Sequence, residues 1–262
     1  MANEINEPLT GRKREYHLYP LSTAELVQAS SKLEEQRLLD QRLIYGFYPD
    51  IINRPAQAKP SLMELSDTYL YKDLLILQEI RKLVLLEKLV TALALQVGSE
   101  VVYQEVAQTI GADSKTAERY IQLLEKCFII FQVSAYSRNL RNEIKKGKKI
   151  YFYDNGIRNA VIKNFNPLSL RQDTGSLWEN FMMSERMKSN RYTNRFVNNY
   201  FWRTHAQQEI DMVEETNGKI YATEFKWNLR TNAKLPKAFA EAYPNAIFKC
   251  VTPMNYIDFL TG

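Results

Sequence analysis

Cysteine and histidine are almost missing from this sequence. Two of each, Cys127 with Cys250 and His17 with His205, stand far apart in 262 residues. A structural zinc site draws four Cys/His ligands at close spacing, so zinc is close to excluded. A serine or cysteine nucleophile needs a base, and neither His17 nor His205 has a recognisable setting. What remains is chemistry resting on carboxylates, lysine and a hard cation.

Glycine is sparse too, and no G-x-x-x-x-G-K-[ST] run occurs. Gly147 precedes Lys148 and Lys149, but no glycine stands five residues before it. A phosphate cradle needs that nest of backbone N–H groups, so no ATP site is expected. Long apolar runs are also lacking: Leu83 to Leu95 carries Glu87 and Lys88 and is too short to span a bilayer. Met1 opens onto polar Asn3, Glu4, Asn6 and Glu7, with no targeting pattern. The expectation is a cytoplasmic protein with reduced thiols and no membrane partner. Neither charge sign dominates: 35 Lys+Arg against 30 Asp+Glu gives +5, which permits a nucleic-acid partner without demanding one.

What is present is a globular composition, 45% hydrophobic and 25% charged. Residues 1–60 are irregular and punctuated by Pro8, Pro20, Pro49, Pro55 and Pro60, with one loosely periodic helix over Thr23 to Arg42. Leu62 to Val97 reads as helical, ended by Gly98. A short helix from Glu100 to Ile110, a Gly111-Ala112 turn and a helix capped by Asp113 or Ser114 follow. The second helix puts Ala117, Tyr120, Ile121 and Leu124 on one face, and Lys115, Arg119, Gln122 and Lys126 on the other. Two strands come next, Phe128 to Ala135 and Lys149 to Tyr153. The loop between them is crowded with Arg138, Arg141, Lys145, Lys146, Lys148 and Lys149. Helix, turn, helix and a hairpin with a basic tip make a winged helix over 71–155. Lys115, Arg119 and the basic tip are expected to contact DNA phosphates. A protein-contact module is the alternative, in which the charge run is a solvated loop.

The last hundred residues carry the sharper pattern. Strands are expected from Tyr200 to Arg203, Glu209 to Glu214 and Lys219 to Trp227, with Asn217-Gly218 as a two-residue hairpin turn. That turn sets Asp211 opposite Glu224 and Lys226 opposite Glu209. Those four share one face; Ile210, Met212, Tyr221 and Phe225 share the other. Opposed like charges are destabilising unless a divalent cation lies between them, and Mg²⁺ suits carboxylate oxygens. The same spacing also describes a solvated hairpin of alternating charge.

Asp211 with Glu224-Phe225-Lys226 resembles the D…(D/E)-x-K core of PD-(D/E)xK nuclease-like proteins. Gly175-Ser176-Leu177-Trp178-Glu179-Asn180 resembles the leading helix of that superfamily with its glutamate. Over nearly the whole chain, the order of segments is similar to the C-terminal region of DUF4143-containing AAA-type ATPases of bacteria and archaea. Leu9-Thr10-Gly11-Arg12, Tyr45-Gly46-Phe47-Tyr48-Pro49 and Tyr71-Lys72-Asp73 carry part of that likeness. Tyr19-Pro20-Leu21-Ser22, Lys149-Ile150-Tyr151-Phe152-Tyr153-Asp154, Trp202-Arg203, Ile210-Asp211 and Glu224-Phe225-Lys226 carry the rest, with the winged helix between. The Walker A and Walker B half is absent, so the chain looks truncated and ATP hydrolysis does not carry over.

The resemblance implies an α+β fold with a remnant of the ATPase end and helical lid (1–70), a winged helix (71–155) and a restriction-endonuclease-like mixed sheet flanked by helices (156–262). It implies Asp211, Glu224 and the Phe225 carbonyl as ligands of Mg²⁺ or Mn²⁺. Lys226 would orient or activate the attacking water, and Glu179 would be an accessory ligand. The expected function is metal-dependent phosphodiester hydrolysis on DNA. The alternative is a non-catalytic DNA- or protein-binding, regulatory portion of such an ATPase.

Overall fold

The computed structural model describes residues 16–68, 83–137, 147–229 and 233–262. It shows an α+β fold in which helices flank a seven-stranded mixed sheet. Five short helices open it: α1 (Thr23–Ala29), α2 (Lys32–Arg37), α3 (Leu39–Tyr45), α4 (Pro49–Asn53) and α5 (Ala58–Asp67). The single helix expected over Thr23 to Arg42 is broken into three. Ser30 ends α1, and Ser31 restarts the chain by accepting a hydrogen bond from the Glu34 amide, as a serine cap does. Part of the helical run expected from Leu62 to Val97 lies outside the described residues; α6 spans Leu83–Leu95.

The helix, turn, helix and hairpin order is present. β1 (Glu100–Val101) leads into α7 (Tyr103–Ile110), which Gly111 ends in the left-handed region at φ 75°. Asp113 caps α8 (Ser114–Lys126) by accepting from the Thr116 amide. Ala117, Tyr120, Ile121 and Leu124 are buried, while Lys115, Arg119, Gln122 and Lys126 are exposed, so the helix lies as its periodicity requires. β2 (Ile130–Ala135) and β3 (Lys148–Phe152) then pair antiparallel.

That hairpin does not close on itself. The strand order is β1-β3-β2-β4-β5-β6-β7, and β2 runs parallel to β4 (Asn198–Arg203) through Ser134↔Tyr200 and Ala135↔Phe201. The sheet continues through β5 (Glu209–Thr216), β6 (Lys219–Phe225) and β7 (Ile247–Val251). One hydrophobic cluster runs from Leu26 through Leu124 and Trp178 to Leu260. Segments 71–155 and 156–262, expected as separate domains, therefore share a sheet, and helices of segment 1–70 join the same core.

α9 (Asn155–Val161), α10 (Thr174–Tyr192), α11 (Lys237–Ala242) and α12 (Tyr256–Thr261) complete the fold. α10 is central and buried on most of its circumference, polar residues included. Each buried polar group needs a partner. Asn180 bonds both backbone groups of Phe152, and Arg186 grips Glu214 through two hydrogen bonds of 2.9 and 2.8 Å. Glu185 accepts from the Thr23 amide at 2.6 Å.

Candidate active site

The β5–β6 hairpin has the register that Asn217-Gly218 dictates. Thr216 pairs with Lys219, Val213 with Ala222 and Met212 with Thr223; both turn residues have positive φ, 51° and 72°. On its other side β5 is irregular. Tyr200 pairs with Val213 but Trp202 pairs with Ile210, so Asp211 and Met212 together face Phe201 alone. This β-bulge re-aims the strand where the acidic residue sits. It also corrects the expected faces. Ile210 and Val213 pack with Trp202 and Ala222 in a smaller cluster, whereas Met212 and Phe225 belong to the larger one.

Asp211 and Glu224 lie side by side, only 8% and 7% exposed. The Phe225 amide donates to Asp211 Oδ2 at 2.7 Å, which fixes that carboxylate over the strand end. Burial, then the Glu224 charge and a hydrogen bond between the two carboxyls, pushes Asp211 well above the usual carboxylate range. Two buried carboxyls in contact need a proton or a cation between them. Lys226 Nζ is 2.9 Å from Glu224 Oε2 and is about a third exposed. Burial pulls its ammonium down, but the Glu224 hydrogen bond and the Asp211 and Glu224 charges outweigh it, and its pKa is raised.

Glu179 reaches the cluster from the first turns of α10, where Leu177, Trp178, Phe181 and Met182 are all buried. It accepts from Tyr151 Oη at 2.7 Å and from Lys149 Nζ at 2.9 Å. Burial, with Asp211 adding repulsion, pushes Glu179 up to about 7. Gly98 makes room for it: a Cβ there would stand 3.1 Å from Glu179 Oε2.

Lys149 is a correction. Expected among the basic residues at a hairpin tip, it is 2% exposed and ion-paired with both Glu179 and Glu209. Alternation along β3 turns it to the same side as Tyr151, under the carboxylates, so it offers no phosphate a solvent-facing contact. Its burial lowers the pKa, but Glu179, Glu209 and Asp211 more than reverse that. Glu209, set opposite Lys226 by the hairpin register, pairs instead with Lys149 and lies 4.0 Å from Arg203. Sequence reasoning did not place Lys149 and Tyr151 in the acidic cluster. Their signal was the alternating K-x-Y of β3, which lies in the same sheet as the acidic hairpin, a relation visible only once β2 and β4 are known to pair.

Of the other basic residues, Lys115 and Arg119 are exposed on α8. Lys148 is half-buried, its Nζ 5.9 Å from the Tyr103 ring. Arg138, Arg141, Lys145 and Lys146 lie outside the described residues. A cleft of ≈ 510 Å³ adjoins the site, lined by Glu100, Phe201, Trp202, Arg203 and His205 among others. Among the described residues, no three His, Cys, Asp or Glu side chains are placed to hold a metal ion together. None of the helices described is long and apolar enough to cross a membrane.

Residues 36–168, half of the chain, match the model of a domain of unknown function, DUF8612. The chain belongs to the DUF8612 family. Residues 174–254 of this DUF8612 protein match a second domain of unknown function, DUF4143, and that match contains Glu179, Asp211, Glu224 and Lys226. An uncharacterized protein of Haemophilus influenzae is 24% identical over 172 residues, 62% of this chain and 43% of its own. Uncharacterized proteins of Mycobacterium tuberculosis and Mycobacterium bovis are each 27% identical over 124 residues, 47% of this chain and 27% of theirs. The chain thus spans less than half the length of these curated relatives. No solved structure matches.

Proposed function

We propose that the cluster is a metal-dependent phosphodiester hydrolysis site and that the chain acts on DNA. The observation that carries the reading is the convergence of Asp211, Glu224, Lys226 and Glu179, from two strands and one helix, at one strand end. Hard carboxylate oxygens side by side suit Mg²⁺ or Mn²⁺, and Asp211 and Glu224 would hold the ion with the Phe225 carbonyl. When bound, such an ion polarises a phosphoryl oxygen and lowers the pKa of its water.

The chain's own residues do the rest. Lys226, the more exposed of the two lysines, has its ammonium where it can donate to a phosphate oxygen as charge develops. Glu179, pushed up to about 7, is poised to hold or take a proton from a water near neutral pH. The adjoining cleft, with Arg203 and His205 at its wall, gives a strand of nucleic acid room to approach. Exposed Lys115 and Arg119 on α8 support backbone contacts by a winged helix.

The test is plasmid nicking with Mg²⁺ or Mn²⁺ by wild type, Asp211→Ala and Lys226→Ala. Nicking that needs the ion and is lost in both variants is expected, with Lys226→Ala still binding metal. A gel shift without nicking at any metal concentration would reject hydrolysis and favour a DNA-binding, regulatory role.

A further inference from the structure

The cluster holds a cation of its own that no motif requires. Lys149 belongs to β3, in the segment matched by DUF8612, yet its ammonium lies among carboxylates of the DUF4143 segment. Of its three N–H donors, one meets Glu179 Oε1 at 2.9 Å and another meets Glu209, with Asp211 acting on it through its charge. The Phe201 ring lies 5.5 Å from Nζ and closes another side.

Charge bookkeeping extends outward from there. Arg203 lies 3.7 Å from Glu100 and 4.0 Å from Glu209, and Lys226 caps Glu224. Five connected carboxylates (Glu100, Glu179, Glu209, Asp211 and Glu224) thus face three cationic side chains. With all five ionised, as a bound cation favours, one divalent ion makes up the difference and a second would leave two positive charges in excess. In two-metal phosphoryl-transfer sites the ions stand roughly 3.5–4 Å apart and share carboxylates. Here an ammonium already takes up Glu179 and Glu209, the oxygens such a second ion would need.

We propose that Lys149 stands in for a second metal ion, making this a one-cation centre whose other positive charge is supplied by the neighbouring segment of the chain. Lys149 is a positioning residue: it ties Glu179 to Glu209 and fixes the directions of both carboxylates. The inference rests on the reading of Asp211 and Glu224 as cation ligands, but its test does not depend on cleavage.

The experiment is calorimetric titration of the full chain with Mn²⁺, comparing wild type, Lys149→Met and Lys149→Arg. Lys149→Met should bind one more ion per chain than wild type, because removing the ammonium opens a carboxylate-lined hole. Lys149→Arg should bind the wild-type number. Equal ion numbers in wild type and a folded Lys149→Met overturn the proposal. Should Lys149→Met fail to fold, wild type saturated with Mn²⁺ decides by electron paramagnetic resonance: an uncoupled Mn²⁺ spectrum supports the proposal, and a spin-coupled pair overturns it. Wild type that binds no ion refutes the hydrolysis reading alone, because the increment in Lys149→Met still reports on Lys149.

Discussion

Replacing Asp211 by asparagine should stabilise the metal-free protein while destroying its response to metal. Asparagine keeps the volume, still accepts from the Phe225 amide, and can donate to Glu224 where the carboxylate repels it. Two unit charges roughly 4 Å apart at an effective dielectric of about 20 repel by about 4 kcal/mol. A shared proton relieves part of this near neutrality, so a gain of about 2 kcal/mol is expected at pH 8. The sign follows from linkage. The Asp211 carboxyl is raised from 3.8 to about 7 on folding, so its ionisation costs stability. That cost is absent at low pH, grows as pH rises above the ordinary carboxylate value, and is complete above the folded pKa. In a chain of this length about 2 kcal/mol corresponds to about 4–8 °C in Tm. Thermal melts in EDTA at pH 8 and pH 5 read it out: Asp211→Asn should melt higher at pH 8 and near wild type where both are metal-free at pH 5. Added Mg²⁺ or Mn²⁺ should raise the wild-type Tm by mass action and leave the variant unmoved. A variant no more stable than wild type at pH 8, or a gain as large at pH 5, refutes the account of two charges crowding each other.

Glu214→Ala should cost about 3–5 kcal/mol in urea unfolding, because it strands the buried Arg186 guanidinium and the Asn190 amide that now meet that carboxylate. DNA affinity should fall steeply with salt, and Lys115→Ala with Arg119→Ala should flatten the slope by about 1 for each phosphate left without its cation; affinity indifferent to salt would remove α8 as a DNA-binding face.

Legibility in the sequence followed the range of the interactions involved. The β5–β6 register was readable because two residues with positive φ decide it locally, and the buried face of α8 because 3.6-residue periodicity does. The bulge at Asp211 was not, since it depends on how β4 pairs with β5. α10 has no apolar stripe, being enclosed on most sides, and only the likeness around Glu179 marked it. The breaks at Ser30 and Ser31 were local signals overridden in the reading by loosely spaced leucines. Lys149 was misplaced because a run of lysines in a hairpin reads as solvent-facing, and strand alternation sends one of them inward.

The parallel pairing of β2 with β4 also bears on how such a protein can be inherited or cut. A recombination point between the two matched families, after residue 168, would separate strands that are neighbours in one sheet. The C-terminal piece would carry an open β4 edge, ready to pair with a stranger, and a nest of acids without the ammonium from β3. Swapping either half for that of a distant relative would meet the same obstacle twice, once in backbone hydrogen bonds and once in charge. The two halves are bound to travel together.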